Sequence, residues 1–199
     1  MPVLVLASGS PRRRELLLHA GLAHDVDVPN VDETRLPGEP ARALVERVAR
    51  LKAAAAARRH PHRPVLGADT VVVVDGDVLG KPADRADAGR MMRRLSGRQH
   101  EVLTGVAVVW EGKTHTLVEQ TDVWMCPLSE ADLAWYLASD EPLDKAGAYA
   151  IQGLASRFVT RIHGSQSNVV GLPVAAVVAL LARLGLPVDS AAARPYPER

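Results

Sequence analysis

A single cysteine, Cys126, is all the thiol chemistry present in 199 residues. One cysteine excludes an intrachain disulfide and any zinc site built on several thiolates, and so a secreted disulfide scaffold. Aromatic residues are scarce, at 4%, too few for the stacking platforms that hold single-stranded nucleic acid. Neither sign of charge is in excess: Lys+Arg is 24, Asp+Glu is 23 and the net charge is +1. A dedicated nucleic-acid binder or a polybasic membrane-surface protein needs a basic surplus. No apolar run approaches the roughly 18 residues of a membrane span. The run at 3–6 is short and follows no basic residue, unlike a signal peptide. A soluble, cytoplasmic protein is the expectation, with neither nucleic acid nor membrane as partner.

What is present is ordinary for a folded domain: 47% hydrophobic and 24% charged residues. A short apolar run at 3–6 reads as a buried strand. Ser10 suits a helix N-cap and Pro11 a first helical position, with Gly21 as the stop. A strand is expected over 26–28 and a polar loop over 30–40. A long helix is expected over 41–59, since Leu44, Val48, Leu51 and Ala55 fall at helical spacing. The stretch Val65-Leu66-Gly67-Ala68 runs into Asp69-Thr70 and a valine run at 71–74. Asp75-Gly76 is a hairpin turn, followed by a return strand at Val78-Leu79. A helix over 84–95 and strands over 102–110 and 114–125 come next. Ser129 and Asp132 resemble a capping box for a helix through Leu137. A strand over 158–162 precedes a last helix from Pro173 to Gly185. This pattern predicts an α/β fold with a mixed, twisted sheet and flanking helices. One domain over 1–186 is expected, with a frayed Pro- and Arg-rich tail over 187–199.

Several residues break local rules. Arg12, Arg13 and Arg14 occupy the first turn of a helix, where the dipole favours acidic side chains. Two readings fit: a bound anion held by backbone N–H groups and arginine forks, or a solvated basic turn. Asp69 sits in an apolar strand context, although aspartate is depleted in strands and rarely buried unpaired. It reads as a general base or metal ligand, or else as a turn cap. Lys81, in Leu79-Gly80-Lys81-Pro82, is not a P-loop lysine, since Pro82 stands where Ser or Thr should be. Taken alone it is a solvated lysine. Lys52 on the long helix either snorkels or reaches into a cleft. Asp32-Glu33 is a loop carboxylate pair or a solvated acidic turn. His60 and His62 lack further ligands at metal spacing, and Cys126 reads as structural. The segment 144–153 is too polar for core and too apolar for a free loop. Arginines at a helix start, two lysines and separate carboxylates together suit a polyphosphate with a divalent cation, because buried charge must be paired.

The same segments resemble the Maf family of nucleoside triphosphate pyrophosphatases. The resemblance is carried by Leu6-Ala7-Ser8-Gly9-Ser10-Pro11-Arg12-Arg13, Asp32-Glu33-Thr34, Gly67-Ala68-Asp69-Thr70, Gly80-Lys81-Pro82, Ser96-Gly97-Arg98-Gln99-His100, Asp144-Lys145-Ala146-Gly147-Ala148-Tyr149, Ile151-Gln152-Gly153 and Gly171-Leu172-Pro173. It implies a fold like that of the inosine triphosphate pyrophosphatases, with two lobes around a cleft. It also implies hydrolysis of a nucleoside triphosphate to the monophosphate and pyrophosphate. Ala-Asp-Thr and Ile-Gln-Gly resemble the dTTP/UTP branch. By the resemblance Asp69 is the catalytic aspartate, and Arg12, Thr70 and Gln152 match positions linked to base choice.

On this basis Mg²⁺ or Mn²⁺ is expected near Glu33 and Asp69. Asp69 would activate a water, and Arg13, Lys52 and Lys81 would neutralise phosphate charge. The Ser8 and Ser10 hydroxyls would add hydrogen bonds. The resemblance also allows a homodimer. Three rival readings stand beside it: a pyrophosphatase for other modified or non-standard nucleotides, a nucleotide-sensing regulator of cell division, and a structural or interaction protein. The absence of coiled-coil heptads gives the third little support.

Overall fold

Ser10 caps the first helix, α1 (Pro11–His19), by accepting a hydrogen bond from the Arg13 amide, with Pro11 in the first turn. Proline there forfeits only an amide that has no partner within the helix. The structure is a computed structural model that describes residues 3–188. Helix α1 follows strand β1 (Leu4–Ala7). After it come β2 (His24–Val26), α2 (Ala41–Ala57), β3 (Val65–Val74), β4 (Asp77–Leu79), α3 (Arg85–Leu95), β5 (Gln99–Trp110), β6 (Lys113–Met125) and α4 (Glu130–Leu137). Then β7 (Val159–His163), α5 (Gln166–Val170) and α6 (Val174–Arg183) complete the fold. Between α4 and β7 lie three short 3₁₀ turns: Glu141–Asp144, Ala146–Ala148 and Leu154–Phe158.

The strands form one mixed sheet in the order β2-β1-β3-β5-β6-β7, with β4 also paired to β3. β1 runs parallel to β2 and β3, and the remaining pairs are antiparallel. This is the mixed α/β architecture expected from the alternation of elements. Alternate residues of a strand face opposite sides of the sheet, and the core divides accordingly. On one side α2 packs Leu44, Val45 and Val48 against Val71, Val73 and Leu103. It can approach because β3 and β5 carry glycines beneath it. A Cβ at Gly67 would lie 2.5 Å from the Ala49 carbonyl oxygen, and one at Gly105 would lie 2.2 Å from that of Val45.

The other side carries two separate apolar clusters. Leu17 of α1 and Val177, Leu180 and Leu181 of α6 cover Leu66, Ala68, Val106 and Val108. Met92 of α3, Tyr136 of α4 and Phe158 cover Val72, Val74 and Val102. Between the two clusters lie Thr70 and Thr104, directly paired across β3 and β5.

Element positions differ from the sequence expectation in a few places. The second strand lies at His24–Val26 rather than 26–28, and α2 ends at Ala57 rather than at residue 59. The five-residue helix α5 was not expected; one turn is too short to show a helical period. No helix among the described residues is long and apolar enough to cross a membrane. Of the tail over 187–199, all but residues 187 and 188 lies outside the described residues.

Candidate active site

β1 pairs with β3 only as far as Ala7 opposite Gly67, and β4 takes up the same edge of β3 at Val72 opposite Leu79. Residues 68–71 are therefore unpaired on that edge. Here the burial of β3 breaks, and Asp69 and Thr70 are only partly covered. A cleft of about 910 Å³ opens at this gap. The ten residues given a role in the expected site all line it, whereas Arg14 and Asp32 do not. Ser8, Ser10, Arg12 and Arg13 come from the β1–α1 junction, Glu33 from the loop before α2, and Lys52 from α2. Asp69 and Thr70 come from β3, Lys81 from the turn after β4, and Gln152 from the turn before the last 3₁₀ element.

Asp69 lies on the face of β3 that α2 covers. Lys52 is buried on α2, and its Nζ donates to Glu33 Oε2 at 2.7 Å and to Asp69 Oδ1 at 3.0 Å. One ammonium thus bridges a half-exposed carboxylate and a mostly buried one. Burial raises the Asp69 pKa from its ordinary value, against the lowering pull of Lys52 and Arg13. Such a shift moves a carboxylate towards the range where it works as a base. The loop bearing Glu33 is fastened to α2 by Glu39. Its carboxylate accepts from Arg47 Nε at 2.6 Å and Nη2 at 2.9 Å, and from the Leu36 amide. Arg47 Nη2 also donates to the Thr34 carbonyl. The Arg47 guanidinium holds the Glu39 pKa down at about 2.

The three arginines have three fates. Arg13 turns inward and is buried. Its Nε donates to the Gly171 carbonyl at 2.8 Å, its Nη1 to the Ala68 carbonyl at 2.8 Å and Ser8 Oγ at 3.2 Å, and its Nη2 to Thr70 Oγ1 at 3.0 Å. The Ala68 carbonyl belongs to the unpaired edge of β3, so Arg13 replaces a missing strand. Arg12 crosses the cleft mouth to Asp144, Nη1 to Oδ2 at 2.9 Å. Arg14 is exposed. The protein's own carbonyls and carboxylate thus meet much of the cationic turn that the sequence left open between a bound anion and solvent.

Lys81 is exposed on the cleft wall and has no hydrogen-bond or ion-pair partner among the described residues. The Gln152 amide is likewise unpartnered among them. The lining also contains Arg35, Asp144, Lys145 and Tyr149, to which the sequence reading gave no role. Six cationic side chains (Arg12, Arg13, Arg35, Lys52, Lys81, Lys145) therefore face three carboxylates (Glu33, Asp69, Asp144). The surplus favours an anionic ligand.

A buried polar network fills the divide between the two apolar clusters. Thr70 Oγ1 lies 2.9 Å from Thr104 Oγ1, and Thr104 Oγ1 lies 3.3 Å from the Asn168 carbonyl. Asn168 Nδ2 donates to the Val102 carbonyl and to Thr121 Oγ1, both at 3.0 Å. Nearby His100 Nε2 is 2.7 Å from the Tyr149 hydroxyl. Thr104, Thr121 and Asn168 carry no sequence signal, because isolated polar residues in strands and short turns look like surface positions. Only the fold shows them to be interior.

No group of three or more His, Cys, Asp or Glu side chains that could hold a metal occurs among the described residues. Glu33 and Asp69 are two oxygen donors on one cleft. Mg²⁺ commonly takes one or two carboxylates and completes its shell with water and substrate phosphates.

The profile of the Maf-like protein family matches residues 3–184. A protein of Symbiobacterium thermophilum named dTTP/UTP pyrophosphatase is 51% identical, over 94% of this chain and 97% of that protein. A protein of the same name from Anaeromyxobacter dehalogenans strain 2CP-C is 55% identical, over 94% of this chain and 96% of that one. Another of that name, from Vibrio cholerae, is 55% identical over 86% of this chain and 92% of its own length.

Proposed function

The chain belongs to the Maf family, and from that premise we propose that it hydrolyses nucleoside triphosphates, dTTP and UTP first among them, to the monophosphate and pyrophosphate. Relatives more than half identical over nearly the whole chain bear the name of that activity. The single structural observation that carries the reading is the Glu33–Lys52–Asp69 bridge at the wall of a cation-rich cleft.

In this reading the triphosphate enters at the gap in β3. Lys81 and Lys145 neutralise its charge, and the Ser8 and Ser10 hydroxyls bond phosphate oxygens. Asp69 takes a proton from a water whose oxygen attacks the α-phosphorus. The bond from that phosphorus to the bridging oxygen breaks, and pyrophosphate leaves with the electron pair. Lys52 holds Asp69 and Glu33 in register for this step. In phosphoryl transfer, positioning and charge stabilisation supply most of the acceleration. Glu33 and Asp69 suit a divalent cation such as Mg²⁺ or Mn²⁺, which when bound would offset phosphate charge. Gln152 presents an amide that both donates and accepts, as the edge of a uracil or thymine ring requires. Arg12 and Thr70 flank the same cleft and complete the base-selecting set. One domain over 1–186 supplies every residue named, so the chemistry does not require a second copy of the chain. We place the reaction in the cytoplasm, as nucleotide-pool house-cleaning.

The test is a panel of triphosphates with Mg²⁺, with nucleoside monophosphate and pyrophosphate read separately. The expected products are equimolar, with dTTP and UTP preferred. Asp69→Asn should keep the melting temperature within a few degrees and lose at least ~100-fold in turnover, the usual size for removing a positioned acid–base group. Pyrophosphate release by that variant at the parent rate would overturn the assignment.

A further inference from the structure

Gln152 stands on a turn that no sheet or long helix supports, yet a residue that reads a base must be held in place. The turn is instead held by Glu141. Its Oε2 accepts from the Leu154 amide at 2.7 Å, and its Oε1 from the Ala155 amide at 3.1 Å. These are the first two amides of the 3₁₀ turn Leu154–Phe158, which has no side-chain cap of its own. Oε1 also accepts from the Tyr136 hydroxyl at 3.0 Å. Tyr136 is fully buried in the core under α3 and α4, and burial raises the pKa of its phenol further above neutrality, so it remains a donor. The carboxylate therefore ties the Gln152 turn to a fully buried side chain of the core.

Gly153 completes the arrangement. A Cβ there would stand 2.0 Å from Glu141 Oε2 and 2.6 Å from Cδ, so only glycine lets the carboxylate reach the Leu154 amide. The carboxylate also does what an amide cannot. It accepts on both oxygens, three bonds in all, whereas glutamine offers one acceptor oxygen and an NH₂ group with two N–H donors. Whichever way the amide turned, its NH₂ would face an N–H.

We propose that Glu141 is a positioning residue for base selection, acting through Gln152 without touching the nucleotide. The proposal rests on the reading of Gln152 as a base contact. Discrimination by hydrogen bonds depends on the reader's position, because a misplaced partner leaves a bond unmade for the right base and the wrong one alike.

Glu141→Gln and, independently, Gly153→Ala should each lower the ratio of kcat/KM for dTTP to that for GTP by about 10-fold, equivalent to about 1.4 kcal/mol. Most of the change should come from weaker use of dTTP. The same ratio measured for Gln152→Ala tests the underlying reading. In the Gln152→Ala background, Glu141→Gln should bring no further loss of discrimination, since the residue through which it acts is gone. A ratio that falls in Gln152→Ala but is unchanged in both Glu141→Gln and Gly153→Ala would overturn the positioning role and leave Gln152 as the base contact. A ratio unchanged in Gln152→Ala would overturn the base contact itself. A uniform loss towards both triphosphates in Glu141→Gln and Gly153→Ala, matched by a lower melting temperature, would reduce Glu141 to a stabilising cap and overturn the proposal.

Discussion

Arg13 shows what a single side chain can decide. A guanidinium carries five N–H donors in a planar fork, and Arg13 directs them at acceptors on the β1–α1 junction, on β3 and at the end of α5. The resemblance implies that this arginine neutralises phosphate charge, and its four bonds to the protein also brace the cleft from within. Lysine in its place keeps the charge and loses the fork. Arg13→Lys should therefore take the Arg13 donor from the Ala68 carbonyl and leave the Gly171 carbonyl with only the Thr70 hydroxyl at 3.3 Å, at a cost of about 2–4 kcal/mol in urea unfolding, on the scale of unsatisfied buried groups. Turnover should fall through kcat, because the Asp69–Thr70 segment is no longer held. A stable variant whose only defect is a raised KM would return Arg13 to direct phosphate binding.

At the scale of elements, the contact between α2 and the sheet governs the site. Lys52 reaches Asp69 only because α2 lies almost on the backbone of β3 and β5, over Gly67 and Gly105. Asp69 and Gly105 are register partners, so the helix is closest where the carboxylate stands. Gly105→Ala puts a methyl against the backbone of α2, which cannot swing aside as a side chain would. Overpacking of this kind costs typically ~1–3 kcal/mol, and α2 should move outward. Thermal unfolding should register the first effect, and a drop in turnover, from Lys52 drawn off Asp69, the second. An unchanged melting temperature would mean that the close approach is not needed. The two glycines were visible in the sequence, but their purpose was not, because nothing local says what will pack on a strand. The cap at Ser10 and the box at Ser129 and Asp132 were legible, since the residues that make those bonds are three apart in the chain. The segment 144–153 resisted a local reading for the opposite reason. Its buried Ala148, Tyr149 and Ile151 take their covering from α3 and α4, distant in sequence.

The molecule as a whole carries a pH dependence in its core. His100 is buried beside Tyr149, and burial lowers its pKa from 6.5 to about 4. Between those values the unfolded chain binds a proton that the folded protein does not, so stability rises with pH. The contribution is complete above pH 6.5 and is lost as pH falls towards 4. Its full size is about 3 kcal/mol from the two pKa values. Urea unfolding from pH 7 to pH 4 should show the decline, and His100→Gln should flatten it. An equal slope in parent and variant would assign the decline to other groups.

Composition and local pattern by themselves determined the fold class and most element positions, and they pointed to a polyphosphate as the kind of ligand. Periodicity, capping and turn chemistry act over a few residues, and a surplus of cations with separated carboxylates suits phosphates wherever they meet. Only the tertiary structure decided that the ten candidates share one cleft, that Lys52 joins Glu33 to Asp69, and that Arg13 braces the site. Those facts depend on contacts between segments up to 158 residues apart, and the cleft exists because β1 and β4 leave a stretch of β3 unpaired.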